Sequence, residues 1–155
     1  MTSIDARPSS VAELVARLGE VLGPTDWYEI TQPRIDAFAE ATRDFQWIHT
    51  DPPRAAASPL GSTIAHGLFP LSLGPKFTME LIDFAGFGHS LNYGYERVRF
   101  PAPLPCGSWL RMRLVVVSIE DVTGGVQATL RQTFERRGTE KPVCVADALA
   151  RFSPA

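Results

Sequence analysis

The sequence predicts an α+β fold in which an antiparallel sheet wraps one dominant apolar helix. Apolar residues recur at helical spacing through the first half of the chain and switch to strand-like alternation from about residue 90. One helical pattern, residues 66–84, is apolar on nearly every side, and a helix of that kind belongs inside. The chain has 155 residues, 45% of them apolar and 21% charged, which suits one domain around one hydrophobic core. No internal repeat or long linker divides it.

Composition narrows the function. Fifteen basic against 17 acidic residues give a formal charge of −2, so no large positive field points to nucleic acid or an anionic membrane. Arg97, Arg99, Arg111 and Arg113 gather locally and read as a solvated strand edge rather than a phosphate site. Cys106 and Cys144 match no metal spacing and no disulfide framework, and read as reduced, buried thiols of a cytoplasmic protein. The first seven residues lack the charged-then-apolar pattern of a secretory signal. No apolar run approaches the roughly 20 residues that cross a bilayer.

Taken in order, residues 9–22 read as a helix capped by Ser9 or Ser10, with Val11, Leu14, Val15, Leu18 and Leu22 on one stripe and Gly23-Pro24 as the stop. Residues 27–30 suit a short strand. Thr31 is a suitable N-cap for a second helix, and Pro33 fits its first turn. Ile35, Phe38, Ala39 and Thr42 share one face up to about Arg43, after which residues 44–49 form the loop leaving the helix. Asp51 caps a short helix over residues 51–57. The dominant helix runs over residues 66–84, with Pro70 in its first turn and Pro75 kinking or breaking it. Strands follow over residues 90–100, 108–120, 126–136 and 143–152 as a meander, with turns at 121–125 and around Gly138.

Two stretches carry chemistry. Asp44 and His49 stand five residues apart beside Phe45, Trp47 and Ile48, and apolar surroundings can push both pKa values toward neutrality. Ile64-Ala65-His66-Gly67 heads the apolar helix, and a glycine N–H at a helix N-terminus is a good donor to a developing oxyanion. His66 itself reads as a brace for the loop before that helix. Asp44, Asp51, His49 and His66 match no standard metal-ligand spacing.

Asp44-x-x-x-x-His49 followed by Ile64-Ala65-His66-Gly67 resembles the MaoC-like dehydratases, or R-specific enoyl-CoA hydratases. Residues 92–105 resemble their strand-and-turn segment, and the likeness runs from about Thr31 to Phe152. It is greatest to the single-domain branch with nodulation-N-like proteins. The resemblance implies a hot-dog fold, a curved antiparallel sheet around a long central helix, in a homodimer with its site near the interface. It implies reversible hydration of a trans-2-enoyl thioester to the (R)-3-hydroxyacyl thioester, with no metal or redox cofactor. Asp44 and His49 are then the acid–base pair, Gly67 the oxyanion donor, and Gln46 an amide beside the substrate.

This chain departs from the family pattern in two places. Gln46-Trp47 stands where Asn-Pro is common, and the serine often found two turns after His-Gly falls at Pro75, with Ser72 one turn earlier. A pantetheine carrier would meet Arg54, Arg97 or Arg99. A hot-dog thioesterase and a non-catalytic acyl-thioester binder are the alternative readings: the Asp–His pair with Ile-Ala-His-Gly favours hydration over thioester cleavage, while Gln46-Trp47 and the missing serine leave the binder open.

Overall fold

The computed structural model describes residues 7–155, so most of the segment read for a secretory signal lies outside the described residues. Helix α1 (Val11–Ala16) is capped by Ser10, whose hydroxyl accepts from the Glu13 N–H. It is shorter than the expected 9–22. Gly19, at φ 78°, turns the chain, and Val21–Leu22 becomes β1, paired with the outer edge of β4 (Trp109–Val122). The open backbone groups of that edge outcompete a continued helix, because an uncovered strand leaves donors and acceptors unpaired. Tyr28–Glu29 forms β2 on the same edge, as residues 27–30 predicted.

Helix α2 (Gln32–Thr42) starts at Thr31, which accepts from the Arg34 N–H, and ends at Arg43 in the left-handed region at φ 61°. The following loop is shorter than expected. Trp47–Thr50 makes one helical turn, α3, so His49 is held by a helix. Helix α4 (Pro52–Ala56) is capped by Asp51 as predicted.

The dominant helix comes in two pieces, α5 (Leu68–Ser72) and α6 (Gly74–Leu81), joined at Leu73. Pro75 explains the break, since it lacks an N–H and its ring would meet the carbonyl four residues back. An extended residue, Ile82, ends the helical segment before residue 84. Its burial is also one-sided: Phe69 and Phe77 are buried, while Leu68 and Met79 are 59% and 47% exposed.

The four long strands are β3 (Phe87–Arg99), β4, β5 (Gly125–Arg136) and β6 (Cys144–Pro154). All pairings among them are antiparallel, in the order β1-β4-β5-β6-β3. Only β4 to β6 form the expected meander. β3 pairs with β6 at the far edge, so the 100–108 connection crosses between non-adjacent strands. Its three prolines suit a crossing rather than a hairpin, since they bring no N–H to a ladder. Gly125 lies against the chain: a Cβ there would sit 2.0 Å from the Phe152 carbonyl oxygen.

Alternation puts Leu110, Met112, Leu114 and Val116 of β4, and Leu130 and Phe134 of β5, into the core against Phe77. On the outer face, Arg111 and Arg113 both bond Glu135 at 2.8 Å. Burial alone would raise the Glu135 carboxyl, but these two bonds outweigh it and hold it below its usual range. Half of the local basic cluster is therefore committed to an internal ion pair. Cys144 is buried, and desolvation pushes its thiol up to about 12, whereas Cys106 is only half-buried. Both are free thiols.

Candidate active site

The site is assembled where three segments meet. The carbonyl of Leu104 accepts from the Ala65 N–H at 2.8 Å, and the Cys106 N–H donates to Thr63 at 2.9 Å, which lays residues 63–65 along the proline-rich crossing. Gln32, on α2, donates to the His49 carbonyl and accepts from the Thr63 hydroxyl. That side chain ties α2, α3 and the segment before α5 together.

His49 is 6% exposed, and its Nδ1 lies 2.6 Å from the Ile64 carbonyl oxygen. A carbonyl only accepts, so the bond assigns the proton to Nδ1 and leaves a lone pair on Nε2. Burial lowers the pKa of His49, with a further lowering from His66; the Ile64 bond and the Asp44 carboxylate oppose this without reversing it. The result is a neutral imidazole available as a base.

His66 is 4% exposed and stacks on His49, with ring centroids 3.8 Å apart and planes 24° from parallel. Its Nε2–H donates to the Asp44 backbone carbonyl at 2.9 Å, and its Nδ1 has no partner among the described residues. Asp44 is exposed at the end of α2, and its Oδ1 accepts from the Gln46 N–H at 3.3 Å. Asp44, His49 and His66 each present a polar atom within 4.8 Å of the others. Each imidazole has one nitrogen on a backbone carbonyl and keeps the other as an acceptor, an arrangement metal-bound histidines also show, so the trio is a candidate ligand set as well as a proton-transfer site.

His49, His66 and Gly67 open onto one cavity of about 270 Å³, closed by Pro70, Phe100 and Leu104. Gly67 is the N-cap residue of α5, where backbone N–H groups precede the first intrahelical bond. Because α5 has only five residues, the donor there is the N–H itself, with little support from a helix dipole. A Cβ on Gly67 would lie 3.4 Å from the Phe100 ring.

The structure thus sets His49 and Gly67 on one cavity, with Asp44 close to His49 but outside that lining, and leaves Gln46 at the N-cap of α3 with its side chain exposed and no capping bond. Ser72 donates to the Phe69 carbonyl, and Pro75 lines a separate cavity of about 90 Å³ beside Tyr95 and Gln132. Arg54 lies over the Trp47 ring at 4.3 Å. The sequence did not signal the Ile64 carbonyl that sets the His49 tautomer, the Phe100 wall, or the His49–His66 stack. These partners come from segments distant in the chain.

If neutral His49 is the base, the acid limb of kcat/KM should fall below the ordinary histidine value of about 6.5. The sign follows from the lowered pKa: protonation, and with it loss of the base, occurs only at more acidic pH. The same group contributes stability above the unfolded value that is lost as pH falls toward its folded value. A pH–rate profile with its acid limb at or above that value would contradict the burial argument.

Comparison with known proteins identifies the family and the fold. The MaoC like domain family matches residues 13–136. A 3-hydroxyacyl-thioester dehydratase Z from Mycobacterium tuberculosis is 48% identical over 144 residues, covering 92% of this chain and 95% of that protein. Nodulation protein N from Rhizobium leguminosarum bv. viciae is 36% identical, covering 94% and 93%. Among solved structures, the unliganded R-hydratase PhaJ1 from Pseudomonas aeruginosa superposes with a TM-score of 0.73 at 20% identity, over 89% of this chain and 83% of that one. The (R)-hydratase from A. caviae gives 0.71 at 21% identity, over 85% and 96%. These superpositions identify the curved sheet and its helical segment as a hot-dog fold. With the match extending over most of its length and near-complete mutual coverage by a relative 48% identical, the chain belongs to the MaoC-like dehydratase family.

Proposed function

We propose that Asp44 and His49 are the acid–base pair of an enzyme that reversibly hydrates a trans-2-enoyl thioester to the (R)-3-hydroxyacyl thioester. The reaction class rests on family membership and on relatives that bear dehydratase names. One observation carries the residue roles: a buried His49 with its Nε2 lone pair free shares a cavity with Gly67, beside the Asp44 carboxylate.

In the hydration direction a water held by the pair loses a proton to it, and the oxygen bonds to the β-carbon. The double-bond electrons move through the α-carbon onto the thioester oxygen, where the Gly67 N–H stabilises the enolate charge. As the carbonyl re-forms, the α-carbon takes a proton from the pair, which returns to its starting state. The two protons pass through Asp44 and His49 as a coupled unit. No electron transfer occurs, so the step requires no redox cofactor, and in this reading the Gly67 N–H polarises the carbonyl in place of a metal. Gln46 is a hydrogen-bonding neighbour of Asp44 through its backbone N–H. Arg99, next to Phe100 in the chain, is a basic residue for the thioester carrier.

Purified protein incubated with crotonyl-CoA should lose the enoyl absorbance and form the R alcohol, unchanged by prior chelation. Free thiol released in place of hydration would favour a thioesterase, and an untouched range of enoyl thioesters would discard the reading.

The cytoplasm is the proposed setting, which the free thiols of Cys106 and Cys144 support. Among the described residues no helix is long and apolar enough to cross a membrane. The working unit is a homodimer. Support comes from β3, a sheet-edge strand on which Leu91 and Tyr93 are 55% and 58% exposed, and edges of that kind are commonly covered. Solved structures of the same fold also include complexes of differently named subunits, ChsH1-ChsH2 and HadBC from Mycobacterium tuberculosis. Light scattering should return twice the 17.0 kDa chain mass, and a monomer at micromolar concentration would refute the dimer.

A further inference from the structure

We propose that His66 is a positioning residue for the acid–base pair, fixing Asp44 through its Nε2–H bond to that residue's carbonyl and fixing His49 by stacking on its ring. The inference rests on Asp44 and His49 being that pair, and gives the second histidine a task that bracing its own loop does not include.

Three contacts carry it. The Nε2–H bond to Asp44 falls just after α2 ends, where the carboxylate has lost the helix as a support and is otherwise held by a single 3.3 Å bond. The opposite contact is the 3.8 Å stack on His49. Phe38, on α2, lies 4.9 Å from the His66 ring and supports it from a further element. One imidazole therefore touches both members of the pair. A loop brace alone would need neither contact.

The stack also has an electrostatic consequence. The titratable groups facing His49 are Asp44, from the end of α2, and His66, from the segment before α5. Asp51, two residues on, accepts from the Arg54 N–H, and the cavity wall at residues 100–104 and Val143 carries no charge. Burial does most to keep His49 neutral, and a second imidazole face to face with it adds to that by resisting a positive charge. Asp44 acts in the opposite sense.

Two substitutions separate the contacts. His66→Phe keeps a ring for His49 but has no donor for Asp44, whereas His66→Gln keeps an N–H donor and loses the ring. Both should lower kcat by about 10-fold to 100-fold, the scale of misplacing a reacting group, with KM changed by less than about 3-fold. In His66→Phe the acid limb of the kcat profile should move to higher pH, because the neighbouring imidazole that opposes protonation is gone. Imidazole NMR reads the same titration without turnover. The chain has three histidines, and the His49 signal is the one lost in His49→Gln.

Wild-type kcat in both variants, with Asp44→Asn and His49→Gln inactive, would overturn the positioning role and leave the acid–base reading standing. If the wild-type chain hydrates no enoyl thioester, the acid–base reading fails separately. The NMR titration then decides the coupling: an unmoved His49 overturns it, and an upward shift in His66→Phe supports it. Should His66→Phe fold poorly by circular dichroism, His66→Gln carries the kinetic test.

Discussion

Replacing Asp44 by Asn or His49 by Gln is expected to slow crotonyl-CoA hydration by at least about 100-fold, the usual scale for an acid–base group. Asp44→Asn is the cleaner of the two. The side chain is exposed, and its one bond, accepted by Oδ1 from the Gln46 N–H, is available to an asparagine oxygen as well. Thermal stability should therefore stay close to wild type while turnover is lost. His49→Gln removes the Nε2 lone pair and the stack on His66, so some stability should fall with the activity. The double variant should be little worse than the slower single one, because two groups coupled in the same proton transfers act as a unit. Near-wild-type turnover in Asp44→Asn would remove the carboxylate from the mechanism. Product loss in kcat with an unchanged KM would confirm that the pair acts on the reacting atoms rather than in binding.

Phe77→Ala is expected to cost about 3–5 kcal/mol of folding stability, the range for emptying a buried aromatic site. Phe77 is 0% exposed on the inner face of α6. Tyr28 meets it edge-on with centroids 6.3 Å apart, and Phe134 of β5 lies at 6.2 Å, so one ring joins the helical segment to both the β2 edge and the sheet centre. Small domains carry only about 5–15 kcal/mol in total, so the loss should be visible as a midpoint drop of roughly 10 °C or more. Urea denaturation followed by circular dichroism measures it. A loss below about 1.5 kcal/mol would mean that α6 relaxes into the cavity, and that the helix is held to the sheet by contacts other than this ring.

Helix caps and strand periodicity were legible along the chain. Thr31 and Asp51 cap the helices expected of them, and Pro75 breaks the apolar segment where its missing N–H requires. The inward rows of β4 and β5 follow from alternation alone. Residues 17–22 were not legible, because a stripe of leucine and valine suits a helix as well as an added strand. The exposed edge of β4 settles that competition. The place of β3 was hidden for a similar reason: neighbours in sequence are the default partners, and only the proline-rich crossing and the free edge of β6 in the packed sheet decide that it pairs with β6.

The same division applies to the site. By itself the sequence determined which chemistry was present, since Asp44, His49 and the His-Gly pair are residue types at spacings that chain-local reading can recognise. The tertiary structure decided what state that chemistry is in. The His49 tautomer depends on a carbonyl 15 residues away, its neutrality on burial and on a ring 17 residues away, and the fixed place of Asp44 on a bond spanning 22 residues. Proton affinity is set by solvation and by neighbouring charge, and both exist only once distant segments have been packed together.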